Sequence, residues 1–146
     1  MQYHFEVQSV QVQEVAIDIG VTPDTVRYYT RIGLLDPVKN VGNGYREYGE
    51  RDRRRLRFIL SARQLGFSVA DINQILDHAD QGESPCQLVR TLIEKRLDEV
   101  TKRFNDTAKL RERMEAALES WESTPDRTPT GDMICHLIES FSDGSE

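Results

Sequence analysis

Three groups of side chains in this sequence have the types and spacing to do chemistry. The first is Thr22, Asp24, Thr25, Arg27 and Tyr28, in the run TPDTVRYY. A helix that opens at an N-cap and carries arginine and tyrosine near its front suits the major groove of DNA. Arginine matches guanine edges or phosphate, and tyrosine hydroxyls commonly hold phosphate. The second group is Tyr45 and Arg46 in GYREY, followed by Arg53, Arg54, Arg55 and Arg57. Tyr45 and Arg46 would reach the DNA backbone or minor groove. The four arginines cannot all face one way on a helix, and Arg55 is taken as the one at phosphate. The third group is two cysteines, Cys86 and Cys135. Two thiols far apart make no disulfide framework; they are ligands, a redox pair or small buried apolar residues. No paired carboxylates, nucleophile–base set or phosphate loop stands out, so an enzyme is disfavoured.

Local patterns supply the elements that would position these groups. Val12, Val15, Ala16 and Ile19 fall at helical spacing, and Gly20 ends that helix. Thr22 is the N-cap of a second helix, with Pro23 at its first position and Asp24 in its first turn. Gly33 stops it near Arg31. Gly42, Asn43 and Gly44 mark a turn before the alternating Tyr45–Tyr48, which predicts a two-stranded wing. A third helix opens at Glu50 with Leu56, Ile59, Leu60, the stem of Arg63 and Leu65 as its apolar stripe. Ser68 caps a fourth that turns Val69, Ile72, Ile75 and Leu76 inward. Residues 1–10 read as a short strand or a tail.

A polar linker over 80–85 leads to Cys86. From Cys86 to Trp121, 36 residues contain neither glycine nor proline. Ile93, Leu97, Val100, Phe104, Thr107, Arg111, Met114, Leu118 and Trp121 alternate by four and three, a heptad seam weakened at Thr107 and Arg111. Such a helix is about 54 Å long and needs a partner to bury its seam; the simplest partner is a second copy. A loop then leads to a short amphipathic helix with Met133, Ile134, Leu137, Ile138 and Phe141. The expected fold is mainly α: a winged helix-turn-helix domain over 11–80, a dimerisation helix over 86–121, and a loop with a short helix over 122–146.

The net charge of −6 conceals two unlike halves. Residues 27–63 hold ten Lys and Arg against four Asp and Glu, whereas residues 77–146 hold nine against sixteen. A basic middle beside an acidic second half implies different partners for each. No run approaches the roughly 18 apolar residues of a membrane span, and no basic segment precedes an apolar core at the N-terminus. The expected location is cytoplasmic, with no membrane partner.

VQEVAIDIGVTPDTVRYYTRIGLLDP, then NGYREY, then RLRFILSARQLGFSVADINQIL together resemble the MerR family of bacterial transcription regulators, in order and in spacing. The resemblance covers residues 11–76. Thr30 departs from it, since many members carry glutamate there. It implies a homodimer joined through the long helix as an antiparallel coiled coil, on double-stranded promoter DNA. It further implies repression without effector, and activation with effector by distorting the promoter for RNA polymerase.

In an antiparallel dimer the start of one long helix meets the end of the other, so Cys86 of one chain would approach Cys135 of its partner. Metal-sensing members resemble this chain in having a cysteine where the dimerisation helix starts, and further cysteines after that helix. Cys86 and Cys135 match the first and the last of those, but no cysteine lies in 122–132, where such sensors carry at least one more. Two thiolates leave a tetrahedral ion two ligands short. His136, Asp126, Glu122, Asp132 or water could complete it. A divalent borderline ion (zinc, cadmium or lead) suits such a mixed set. On a regular helix His136 points about 100° away from Cys135, which disfavours it unless the helix starts there. The alternative is the same DNA-binding regulator answering an oxidant or a small organic effector, with the cysteines buried or redox-active. His4 and His78 are given no role.

Overall fold

The computed structural model describes residues 10–141. The leading residues 1–9, including His4, lie outside the described residues. The chain divides into two compact units, one running to Arg96 and one starting at Leu97.

The first unit begins with α1 (Val12–Ile19) and α2 (Pro23–Arg31). α1 turns Val15 and Ala16 fully inward. It ends at Gly20, whose φ of +88° is a left-handed conformation that costs glycine nothing. Thr22 then caps α2: its hydroxyl oxygen accepts the Thr25 N–H at 3.2 Å. Val26 and Tyr29 are the buried residues of α2, and Leu34 and Leu35 follow them into the core.

The wing is a two-stranded antiparallel ribbon of β1 (Val38–Lys39) and β2 (Arg46–Glu47), with Lys39 opposite Arg46. Its turn is built by asparagine side chains. Asn40 Oδ1 accepts the Gly42 and Asn43 N–H groups at 2.8 and 3.1 Å, and Asn43 Oδ1 accepts that of Tyr45 at 2.9 Å.

Helices α3 (Glu50–Gln64) and α4 (Val69–Asp80) close the core. The buried face of α3 is Asp52, Leu56, Ile59 and Ala62. Asp52 belongs there because its carboxylate accepts the Asp36 N–H at 3.0 Å, tying the segment before the wing to α3. Leu65 corrects the expected stripe: it is 67% exposed. The helix stops at Gln64 and the chain turns through Gly66, so Phe67 takes the inward position. Ser68 and Asp71 form a reciprocal capping box at α4, each bond 3.0 Å long. Leu56, Ile59 and Ile72 are wholly buried, each contributing about 1.5–3 kcal/mol.

Helix α5 (Cys86–Trp121) is continuous, as its freedom from glycine and proline requires. The compact unit reaches beyond the linker at 80–85: Leu88, Val89, Leu92 and Ile93 of α5 pack on its core. Arg96 closes it with a twofold ion pair to Asp71.

In the second unit Ala117 is buried. Trp121 donates its Nε1–H to the Leu137 carbonyl at 3.1 Å and meets the Phe141 ring edge-on, centroids 6.0 Å apart. The terminal helix, α6 (His136–Glu139), is one turn long, shorter than the apolar pattern from Met133 to Phe141 suggests. Its start is fixed by Glu139, whose carboxylate accepts the Ile134 and Cys135 N–H groups at 2.9 and 2.6 Å. Ile134 and Ile138 are exposed, and His136 is buried instead.

Candidate nucleic-acid interface and thiol sites

α1, α2 and the wing surround an open concavity of about 670 Å³. Gln11, Gln13, Arg27, Lys39, Tyr45 and Arg46 line it, with Tyr48 in its wall. Three cations from three separate segments therefore face one hollow. Among them Lys39 escaped the sequence reading; its place opposite Arg46 in the wing ladder is the signal that could have found it. Arg27 sits midway along α2, half-exposed, its Nη1 3.0 Å from Asp24 Oδ1. That pairing pre-orients the guanidinium, and a surface pair of this kind gives way readily to a stronger anion.

Tyr28 and Tyr29 part as their helical positions demand. Tyr29 is buried, while Tyr28 is 40% exposed with the Arg31 guanidinium 5.5 Å over its ring. Thr22 and Thr25 are engaged in the cap, their hydroxyls 3.0 Å apart. Tyr45 is exposed near the wing turn, and Arg46 is exposed on β2.

Arg55, expected at phosphate, is engaged within the unit. Its guanidinium donates to the Leu34 carbonyl at 3.3 Å and to Asp80 Oδ1 at 2.8 Å, and its side chain is only 19% exposed. It braces α3 against the end of α4 and is committed inside the unit. Asp80 accepts from Arg51 as well, at 3.0 Å. Partial burial would raise the Asp80 pKa, but the Arg55 and Arg51 guanidiniums outweigh it and hold the carboxyl below its ordinary value. Arg53 is mostly covered beside Glu50. Arg57 reaches Asp18 at 3.3 Å, and Arg54 is left largely in solvent.

Cys86 is the first residue of α5 and is exposed; its N–H lies 3.4 Å from Ser84 Oγ. Cys135 is half-exposed and caps α6 with extended backbone angles, φ −144° and ψ 113°. The helix thus starts at His136, so the helical offset between Cys135 and His136 does not apply. His136 Nε2 is buried and has no hydrogen-bond partner. Asp126 is exposed in the loop before α6. Among the described residues of one chain, no three His, Cys, Asp or Glu side chains gather closely enough to hold a metal ion. The apolar seam of α5 is open to solvent, with Leu97, Phe104, Met114 and Leu118 each more than 60% exposed.

A family model described as MerR HTH family regulatory protein matches residues 10–79, and one described as MerR, DNA binding matches residues 53–117. The HTH-type transcriptional regulator ZntR of Escherichia coli K12 is 31% identical over 136 residues, spanning 92% of this chain and 94% of its own. The mercuric resistance operon regulatory protein of Pseudomonas fluorescens is 37% identical over 127 residues, spanning 86% of this chain and 83% of its own. The fold resembles that of the transcription regulator PbrR691 from Ralstonia metallidurans CH34, solved with lead(II). The TM-score is 0.70 at 22% identity, over 90% of this chain and 98% of that one.

A winged helix-turn-helix joined to a long helix with an open apolar seam defines a DNA-binding transcription regulator rather than an enzyme. This chain belongs to the MerR family.

Proposed function

We propose that the chain is a homodimeric, metal-responsive regulator that sets α2 into the major groove of promoter DNA and the wing against its backbone. The observation that carries the DNA part is the convergence of Arg27, Lys39 and Arg46 on one concavity beside an exposed recognition helix. Thr22, Asp24 and Thr25 form the front end of α2, Tyr28 follows them along the helix, and Tyr45 belongs to the wing. Arg55 is left out, because its Nε and Nη1 are held by Leu34 and Asp80 and its side chain is mostly covered.

Dimerisation follows from the seam. An apolar stripe of this length in water is offset by pairing with its own copy, and antiparallel pairing brings Cys86 of one chain to Cys135 of the other. The donor chemistry suits a borderline divalent ion: zinc, cadmium or lead. Thiolates of Cys86 and the partner's Cys135 would hold it, with Asp126, His136 or water completing a tetrahedral set. The kinship to a mercuric resistance regulator supports a metal as effector. Bound metal would supply a fixed cross-link between chains, and loading would change the promoter from a repressed to an active geometry for RNA polymerase. No helix among the described residues is long and apolar enough to cross a membrane; a regulator working on promoter DNA would act in the cytoplasm.

Anaerobic titration of the full chain with each of the three ions, beside a Cys86→Ser control, tests this reading. Tight binding by the wild type that the control lacks supports it. Equal behaviour of the two proteins removes the cysteine site.

A further inference from the structure

Thr30 joins α2 to the root of the wing. Its hydroxyl oxygen lies 2.8 Å from the Val26 carbonyl and 2.7 Å from the Tyr48 hydroxyl. A threonine hydroxyl owns one proton, and a carbonyl can only accept. That proton goes to Val26, so Tyr48 is the donor in the second bond and Thr30 its acceptor.

Tyr48 is otherwise immobilised. It is 1% exposed, and its own N–H and C=O are both paired with Val10, at 2.6 and 2.9 Å. Each partner in the hydroxyl bond lies close in sequence to a cation of the concavity. Arg27 precedes Thr30 by three residues on the same side of α2. Arg46 precedes Tyr48 by two, and Arg27, Arg46 and Tyr48 all line the concavity.

We infer that the Tyr48–Thr30 hydrogen bond is a positioning contact for DNA binding, fixing the wing against the recognition helix so that Arg46 and Arg27 engage one duplex together. Neither Thr30 nor Tyr48 needs to touch DNA for this. Two cations on a braced frame bind without the ordering cost that a swinging wing would incur. The inference rests on the assignment of this face to DNA.

Three variants separate the possibilities. Tyr48→Phe keeps the ring and removes the donor. Thr30→Val keeps the shape and removes the acceptor, whereas Thr30→Ser restores it. The probe is a duplex carrying the site that the wild-type chain selects from a random-sequence pool, titrated by fluorescence anisotropy at fixed salt. Tyr48→Phe and Thr30→Val should each weaken binding about 3- to 10-fold, the range of a single net hydrogen bond. Thr30→Ser should bind as the wild type does. In an Arg46→Ala background Tyr48→Phe should cost clearly less than in the wild type, because only Lys39 and Tyr45 are then left on the wing for it to position. A merely structural role would be additive there.

The inference is overturned if Tyr48→Phe costs the same with and without Arg46, or if Thr30→Ser is as weak as Thr30→Val. It is also overturned if the hydroxyl variants match wild type while Arg46→Ala is impaired. Should Tyr48→Phe fail to fold, the comparison of Thr30→Ser with Thr30→Val, each with and without Arg46, decides alone. If instead Arg27→Ala and Arg46→Ala both bind like wild type, the assignment of the face to DNA has failed and the inference falls with it.

Discussion

Asp71 and Arg96 meet in a two-point ion pair, Nε to Oδ2 at 2.6 Å and Nη2 to Oδ1 at 2.7 Å. The same carboxylate accepts the Ser68 N–H that completes the α4 capping box. One buried group therefore holds the start of α4 and the third turn of α5.

That pair makes stability depend on acidity. The Arg96 guanidinium, opposed by burial and helped by Ser68, holds the Asp71 carboxyl at about 2 against an ordinary 3.8. In the unfolded chain the carboxyl returns to its ordinary value. The native surroundings of this carboxyl, Arg96 first among them, thus contribute about 2 kcal/mol, fully present above about pH 4 and lost as the pH falls through 2. Asp71→Asn should abolish this part of the acid sensitivity. Arg96→Leu should cost about 3 kcal/mol at neutral pH, because it strands a buried carboxylate. Urea denaturation at fixed protein concentration, repeated from pH 7 downward, measures both.

Loss of either cation at the front of the DNA face should weaken binding without changing the fold. Arg27→Ala and Arg46→Ala are each expected to cost about 1–3 kcal/mol if they meet base edges. Where the contact is to phosphate, the log–log slope of affinity against salt should also fall by about one. Mobility-shift titrations at several salt concentrations read out both. Arg55→Ala should instead lower stability, since its partners are Leu34 and Asp80.

A charge in the seam should separate the two copies. Leu97→Glu and Phe104→Glu place a carboxylate where an apolar contact is needed, on side chains more than 60% exposed in one chain. Sedimentation equilibrium should then report monomer, and DNA affinity should fall with dimer content. Intact dimers in both variants would defeat the coiled-coil reading.

A mixed dimer distinguishes a shared metal site from one built within a chain. One chain carries Cys86→Ser and the other Cys135→Ser, so both changes fall on the same shared site. Half the wild-type stoichiometry at full affinity is the expected anaerobic titration. Binding should strengthen as pH rises, since thiols must lose protons to ligate. Loss of all tight binding would mean that each chain builds its own site.

Features decided within four residues were legible in the sequence. The Thr22 cap with Pro23, the Gly20 stop and the Ser68 cap each depend on neighbours along the chain, and each stands where local chemistry puts it. What escaped was decided by distant partners. Arg55 looked free for DNA because nothing local reveals Asp80, 25 residues on. Leu65 fitted the apolar period of α3 but fell beyond its last turn. The short α6 was hidden because its start depends on the Glu139 carboxylate, not on the apolar spacing. The Asp71–Arg96 and Tyr48–Thr30 contacts join segments that no spacing rule connects.

The open stripe along α5 makes the amount of protein part of the regulatory logic. While chains are dilute, paired copies accumulate as the square of their number, and promoter occupancy follows the pairs. Doubling expression then quadruples occupancy at the low end and merely doubles it once pairing is complete. An effector held between two copies, as proposed above, would move that crossover to smaller copy number.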